Sequence, residues 1–208
     1  MKREIHRANV SGRIISEARK LFLSLGYAKT KMRQIGEAAE VQTGTIYHFY
    51  KNKEDIFANI VHQAFFRTIE RTRSLSNGDS LLHLAAELSW HTHTMHQHAP
   101  SAELYMIAYN SPRIADELLR NQIIRSRELF GHLERTAIDY KVYAMLARGF
   151  MQAMSLQAVE QKLTDIDATI QSSLTYLLKM METPTEDIRG VLDRLTQLNI
   201  AKRVRETL

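Results

Sequence analysis

Eight positions of the stretch WHTHTMHQHAP, from His91 to His98, hold four histidines, the side chain best suited to proton transfer and metal ligation near neutral pH. Metal or haem ligation by His91, His93, His96 and His98 is one chemistry this cluster could supply. The spacing argues against it, because the i,i+4 pair that suits helical ligation never occurs: His93 and His96 are three apart. The chain has no cysteine, and the carboxylates nearby are Glu87 and Glu103. A second reading is polar histidines on one helix face. A third is a chamber for an organic ligand, lined by Trp90, His91 and His93, by Tyr105, Met106 and Tyr109, and by Phe150, Met151 and Met154. Methionine suits adaptable apolar pockets with a few polar anchors, although a packed core explains the same stripe. With few acids among these positions, a cationic ligand is not expected.

The second stretch is TGTIYHFYKNKED, residues 43 to 55, in which Tyr47, His48, Phe49 and Tyr50 are adjacent. A helix buries one stripe, so some of these side chains must face outward. Ile46 and Phe49, three apart, are expected inward. Tyr47 and His48 carry polar tips that can donate to phosphate oxygens, and Lys53 can do so as a point charge. Tyr50 is open between core edge and backbone contact. Phosphate contacts position a helix on DNA without reading sequence. Reading would fall to residues at the helix N-terminus, here Gln42, Thr43, Gly44 and Thr45. Gln can bond adenine bidentately, a threonine methyl can meet a thymine methyl, and Gly44 lets the backbone come close. The alternative is a small helix packed for stability alone.

Neither stretch makes an enzyme. No nucleophile–base motif, phosphate-cradling glycine loop or pair of carboxylates at catalytic spacing is present. No enzyme activity, cofactor or bound metal is expected.

The elements that must hold these residues read as helices throughout. Val10, Ile14, Ala18, Leu21, Phe22 and Leu25 recur at three- and four-residue steps, and Gly26 is placed to end that helix. Thr30 is expected to cap a second helix with Met32, Ile35, Ala38 and Ala39 inward. The third short helix follows Val41, which gives helix-turn-helix rhythm within about fifty residues. From Asp55 the chain reads as long helices: 55 to 73, 80 to 98, 101 to 110, 114 to 137 (with Leu133 among its apolar positions), 141 to 161 and 166 to 181. Thr183-Pro184-Thr185-Glu186 has the form of a capping box that opens a last helix. The predicted class is all-α: a three-helix head, residues 1–53, on a larger helical body, residues 54–208, for ligand binding and dimerisation.

Charge divides the same way. Of the net +5, residues 1–53 hold 11 Lys/Arg against 4 acids, and residues 54–208 hold 17 against 19. A basic head on a near-neutral body suits a polyanion partner such as double-stranded DNA. Lys2, Arg3 and Arg7 could extend an arm along its backbone. No apolar run approaches the roughly 20 residues that cross a bilayer, and MKREIHRANV lacks the apolar core of a signal peptide. No membrane partner is expected, and a cytoplasmic location is.

The stretch MRQIGEAAEVQTGTIYHFYKNKEDIF resembles the signature of the tetracycline-repressor (TetR) family of transcriptional regulators. Gly44, Thr45, Tyr47, Tyr50, Lys53 and Phe57 fall in register, within a resemblance that covers residues 10 to about 57. Three positions depart: Glu40 stands where the family usually has Gly, Gln42 where Ser is frequent, and Gly36 where Ala is usual. Position by position, the resemblance implies that Thr30, Tyr47, His48 and Lys53 touch phosphate and that Arg33, Gln42, Thr43 and Thr45 contact bases. It further implies a ligand-responsive repressor acting as a homodimer on a palindromic operator. The small-molecule effector is expected to be organic. The alternative is a metal- or haem-sensing regulator using the His91–His98 cluster. The dimer face would come from the last long helix pair, with Leu146, Ala153, Leu156, Gln157, Ile170, Leu174, Leu177 and Met181 as candidates.

Overall fold

The computed structural model describes residues 2–131, 135–162 and 164–208, and for residues 2–6 and Thr43 only the backbone. Leu133 and the side chains of Lys2 and Arg3 lie outside the described residues. Every regular element among those described is helical. Two compact units result, Met1–Phe65 and Phe66–Leu208.

The head contains α1 (Lys2–Leu25), α2 (Met32–Ala38), α3 (Thr43–Phe49) and the first turns of α4 (Lys53–Ser76). Its core is Ile14, Ala18, Phe22, Ile35, Ala39, Ile46, Ile56 and Phe57, all nearly inaccessible to water. The unit therefore ends at Phe65 rather than at Lys53, because Ile56, Phe57 and Ile60 at the start of α4 are part of that core. Phe22, Tyr27 and Phe57 pack against one another in tilted and edge-to-face arrangements, with centroids 4.9 to 5.8 Å apart. Gly26 ends α1 at φ +85°, a left-handed conformation glycine adopts without strain. On α2 the inward residues are Ile35 and Gly36, whereas the expected Ala38 is exposed.

The body is built around α5 (Ser80–Gln97), an almost wholly buried helix. Around it pack α6 (Ala99–Asn110), α7 (Pro112–Phe130), α8 (Ala137–Val159), α9 (Ile166–Met180), α10 (Thr185–Leu198) and α11 (Ile200–Arg205). Four corrections to the helix bounds have local causes. Helix α7 stops at Phe130, and α8 starts at Ala137 under a capping box, in which Thr136 Oγ1 accepts from the Asp139 N–H (3.2 Å) and Asp139 accepts from the Thr136 N–H (2.9 Å). Helix α6 starts at Ala99 rather than at Ser101, because His98 caps it and Pro100 fits its first turn. Pro184 is itself the cap of α10, without a side-chain hydrogen bond, so the expected box does not close. Asn199, at φ +47°, divides the last helix into α10 and α11.

Candidate functional site

In the head, α2 and α3 are joined by a tight turn. The Val41 N–H donates to the Gly36 carbonyl at 2.9 Å, and Glu40 takes the left-handed conformation at φ +54°. Glycine would sit there without a Cβ penalty, so Glu40 carries strain, and its side chain is on the surface 3.9 Å from Arg13. Helix α2 is capped by Lys31, whose N–H donates to Gln34 Oε1 at 2.8 Å, and not by Thr30. Helix α3 begins at Thr43 with Gln42 at the cap position, its side chain making no cap hydrogen bond.

The outer face of α3 is as the spacing predicts. Tyr47 is 54% exposed, His48, Gly44 and Gln42 are exposed, and Thr45 is half-buried. A Cβ built on Gly44 would meet nothing within 4 Å. Arg33 projects into solvent with Glu37 at 3.6 Å. The Thr43 side chain is outside the described residues. Ile46 anchors the helix at zero exposure, and Phe49 is half-buried with Arg7 5.7 Å from its ring. Tyr50 resolves to the core edge, its hydroxyl 2.7 Å from Ser11 Oγ.

Two expected phosphate ligands are turned elsewhere. Thr30 is buried, and its hydroxyl donates to the Gly26 carbonyl at 2.9 Å. Lys53 is the larger correction. Its Nζ donates to the carbonyls of Tyr27 (2.6 Å) and Thr30 (2.9 Å) and lies 4.3 Å from the Tyr27 ring centroid. An ammonium has three donors, and a third carbonyl, Ala28, is within 3.4 Å. Lys53 therefore clamps the α1–α2 loop, and partial burial holds its pKa below the usual lysine value.

In the body the four histidines go to four environments. His91 Nδ1 is 2.5 Å from the Tyr105 hydroxyl. His93 is buried and faces Asp167, 3.2 Å away at the start of α9. His96 is exposed, and His98 accepts from the Ser101 N–H to cap α6. Among the described residues no three His, Cys, Asp or Glu side chains gather as a metal site requires. Trp90, Met151 and Met154 are packed in the core, while Tyr105, Tyr109, Met106 and Phe150 are half-buried.

Sequence reading missed a buried charged group. Arg125 of α7 donates from Nε to Glu87 Oε1 at 3.0 Å and from Nη2 to His83 Nδ1 at 2.8 Å. All three residues are buried. Because arginine can only donate, His83 Nδ1 is the acceptor and its proton sits on Nε2, 3.1 Å from the Ile69 carbonyl. Burial lowers the His83 pKa and raises that of Glu87, and Arg125 opposes the rise at Glu87. The one available signal was the i,i+4 spacing of His83, Glu87 and His91 on a single face of α5.

On α8 an apolar row faces outward: Ile138 is 71% exposed and Met145 52%, with Val142, Leu146 and Leu156 alongside. Ala153 lies on this exposed row. Gln157 and Met181 are half-buried. Ile170, Leu174 and Leu177, expected at a dimer face, are instead buried in the chain's own core, because α9 turns them toward α5 and α10. The exposed large apolar residues of α9 are Tyr176 and Met180.

A basic helix-turn-helix head on a helical body defines a class, the DNA-binding transcriptional regulators. Residues 14–60 match the family described as bacterial regulatory proteins, tetR family, and through this head the chain is similar to members of that family. The head is also 45% identical over 47 residues to YhgD of Bacillus subtilis (strain 168), an uncharacterised HTH-type transcriptional regulator. That match covers 23% of this chain, and the chain spans about a quarter (25%) of the length of the relative. The fold is similar to that of RolR in complex with resorcinol, over 92% of this chain and 96% of the other, at TM-score 0.71 and 17% identity. Thermus thermophilus FadR, a TetR-family transcriptional repressor in complex with lauroyl-CoA, is similar over 82% of this chain and 94% of its own, at TM-score 0.65 and 19% identity. At such identities the likeness is one of fold. No helix among the described residues is long and apolar enough to cross a membrane.

Proposed function

We propose that the protein is a ligand-responsive repressor that binds a palindromic operator as a homodimer. The observation that carries this is the outer face of α3, where Gln42, Gly44, Tyr47 and His48 are all exposed on a basic head. Tyr47 and His48 donate to phosphates; Gln42, Thr43 and Thr45, with Arg33 from α2, meet base edges.

The α8 row supports the homodimer. An exposed apolar face that includes Ile138, Val142, Met145, Leu146 and Leu156, with Tyr176 and Met180 on α9, is the kind that a second copy covers. Two-fold symmetry sets two recognition helices about 34–36 Å apart, as successive half-sites require. The body takes a small organic effector, as RolR takes resorcinol and T. thermophilus FadR lauroyl-CoA. An effector that favours the conformation with mis-spaced heads lowers operator occupancy.

The test is to recover genomic DNA fragments bound by the purified protein and to measure affinity and stoichiometry on them. Two protomers per site and an affinity falling at least about tenfold between ~50 and ~200 mM salt are expected. One protomer per site, or salt-insensitive binding, would sink the proposal. Replacing Met145 by Asp should yield a monomer in sedimentation with weakened operator binding.

A further inference from the structure

Arg7, Ala8 and Asn9 are exposed residues of α1, which enters the head core at Val10. The stretch expected to form an arm, from Lys2 to Arg7, is therefore helical, and Arg7 has a fixed place in it. The Arg7 guanidinium carbon lies 5.7 Å from the centre of the Phe49 ring, at the end of α3. One turn further along α1, Ser11 Oγ is 2.7 Å from the hydroxyl of Tyr50, the residue after Phe49. Residues four apart share a helix face, so one side of α1 holds the end of α3 at two consecutive residues. A cation above a ring keeps most of its N–H donors unspent, and a guanidinium held this way is already oriented when a ligand arrives.

Four other cations of the head are committed elsewhere. Arg13 lies 3.9 Å from Glu40, Lys20 2.6 Å from Glu17 and Arg33 3.6 Å from Glu37, while Lys53 is turned onto carbonyls. Arg7 is oriented by a ring instead of an acid. Its position around α3 decides what it can reach. With Ile46 inward at zero exposure, steps of roughly 100° per residue set Gly44 and His48 outward, Tyr47 on one flank, and Thr45 and Phe49 on the other. The exposures agree, since Tyr47 is well exposed and Thr45 and Phe49 are half-buried. A helix lying in the major groove has one sugar–phosphate strand along each wall. Tyr47 faces one wall, and Arg7, over Phe49, faces the other. A planar guanidinium matches a phosphate with two parallel N–H donors, which a phenol or an imidazole cannot supply.

We propose that Arg7 is a phosphate contact of the DNA interface, gripping the duplex strand opposite the one met by Tyr47. The assignment rests on the reading of α3 as the helix that enters the major groove. Arg7 reads no base; with Tyr47 it fixes the register of α3 on the duplex. It supplies the cationic contact that Lys53, turned inward, does not.

The experiment is a titration of the full-length protein against two labelled duplexes of equal length, a genomic fragment recovered with the parent and a scrambled version of it. Affinities are read at several salt concentrations between ~50 and ~200 mM. Each phosphate contact adds about 0.9 to the steepness of log affinity against log salt. Arg7→Ala should lower that steepness by about 0.9 per bound protomer on both duplexes, with an affinity loss of about fivefold per protomer at ~150 mM salt. Arg7→Lys keeps the charge and should retain the parent slope. A slope lost equally in both variants marks damage to the fold and overturns the assignment. An unchanged slope for Arg7→Ala overturns it even where affinity falls, since Arg7 would then only support Phe49 and α3. So does a loss confined to the genomic fragment, which would make Arg7 a base reader. If the parent binds no duplex in a salt-dependent way, the reading of α3 fails; if the parent binds and Arg7→Ala matches it, only this assignment fails.

Discussion

Head and body handle their polar side chains in opposite ways. In the head, Gln42, Arg33, Tyr47 and His48 stand at the surface over a core of aliphatic and aromatic residues, with Thr30 as its buried polar side chain among the described residues. In the body, His83, Glu87, Arg125, His91 and Tyr105 are turned inward and bonded mainly to one another. A polyanion partner is met on an outer face with mobile counter-ions to release, so exposed donors cost little until DNA arrives. A small effector must leave water, so its partners have to be buried and already oriented. Lys53 crosses this division, being a head cation that the fold uses as the body uses Arg125.

The strongest way to break the comparison is Arg125→Met. It leaves the Glu87 carboxyl buried without its partner and should destabilise the body by about 3–5 kcal/mol, whereas pairing it with Glu87→Met should recover most of that loss. Urea unfolding followed by circular dichroism decides this, and additive effects would mean that the two residues do not act as a pair.

The next effect is a pH dependence carried by the buried histidines of the body. Folded His91 is neutral because burial lowers its pKa from 6.5 to about 4. The unfolded chain protonates first, so stability is full above about 6.5 and falls as the pH drops toward about 4, by up to roughly 3 kcal/mol. His83 and His93 shift in the same direction, while Glu87, held above the usual carboxylate range by burial, works against them. Melting temperatures at about pH 7.5 and about pH 5 should differ less in His91→Phe than in the parent.

Lys53 and Tyr47 sharpen the contrast within the head. Lys53→Met strands the carbonyls of Tyr27 and Thr30 and should cost about 1–3 kcal/mol of stability, lowering DNA affinity only through the fold. Tyr47→Ala should leave the melting temperature within about 0.5 kcal/mol of the parent and weaken binding to every DNA sequence alike. An unaltered melting temperature in Lys53→Met would return that lysine to the phosphate-contact class.

The smallest effects come from backbone positions. Gly44→Ala fills open space on a helix and should add about 0.5–1 kcal/mol, yet it should weaken DNA binding where the α3 backbone meets the duplex. Glu40→Gly relieves the left-handed turn and should stabilise the head by about 0.5–1 kcal/mol with DNA affinity unaltered.

Much of this molecule was legible from its residues one turn at a time. Helix periodicity, Gly26 as a stop, Ile46 inward and Tyr47 outward all depend on neighbours three or four positions away, and each is found as read. The same local rules gave α8 and α9 their stripes, but a stripe does not say what it faces. Ile170, Leu174 and Leu177 proved to face their own chain, and Leu146, Ala153 and Leu156 to face outward. Lys53 meets a carbonyl 26 residues back, and Arg125 meets partners 38 and 42 residues away. Pairings at that range leave no periodic trace, because they arise from how helices pack and not from the order of residues along any one of them.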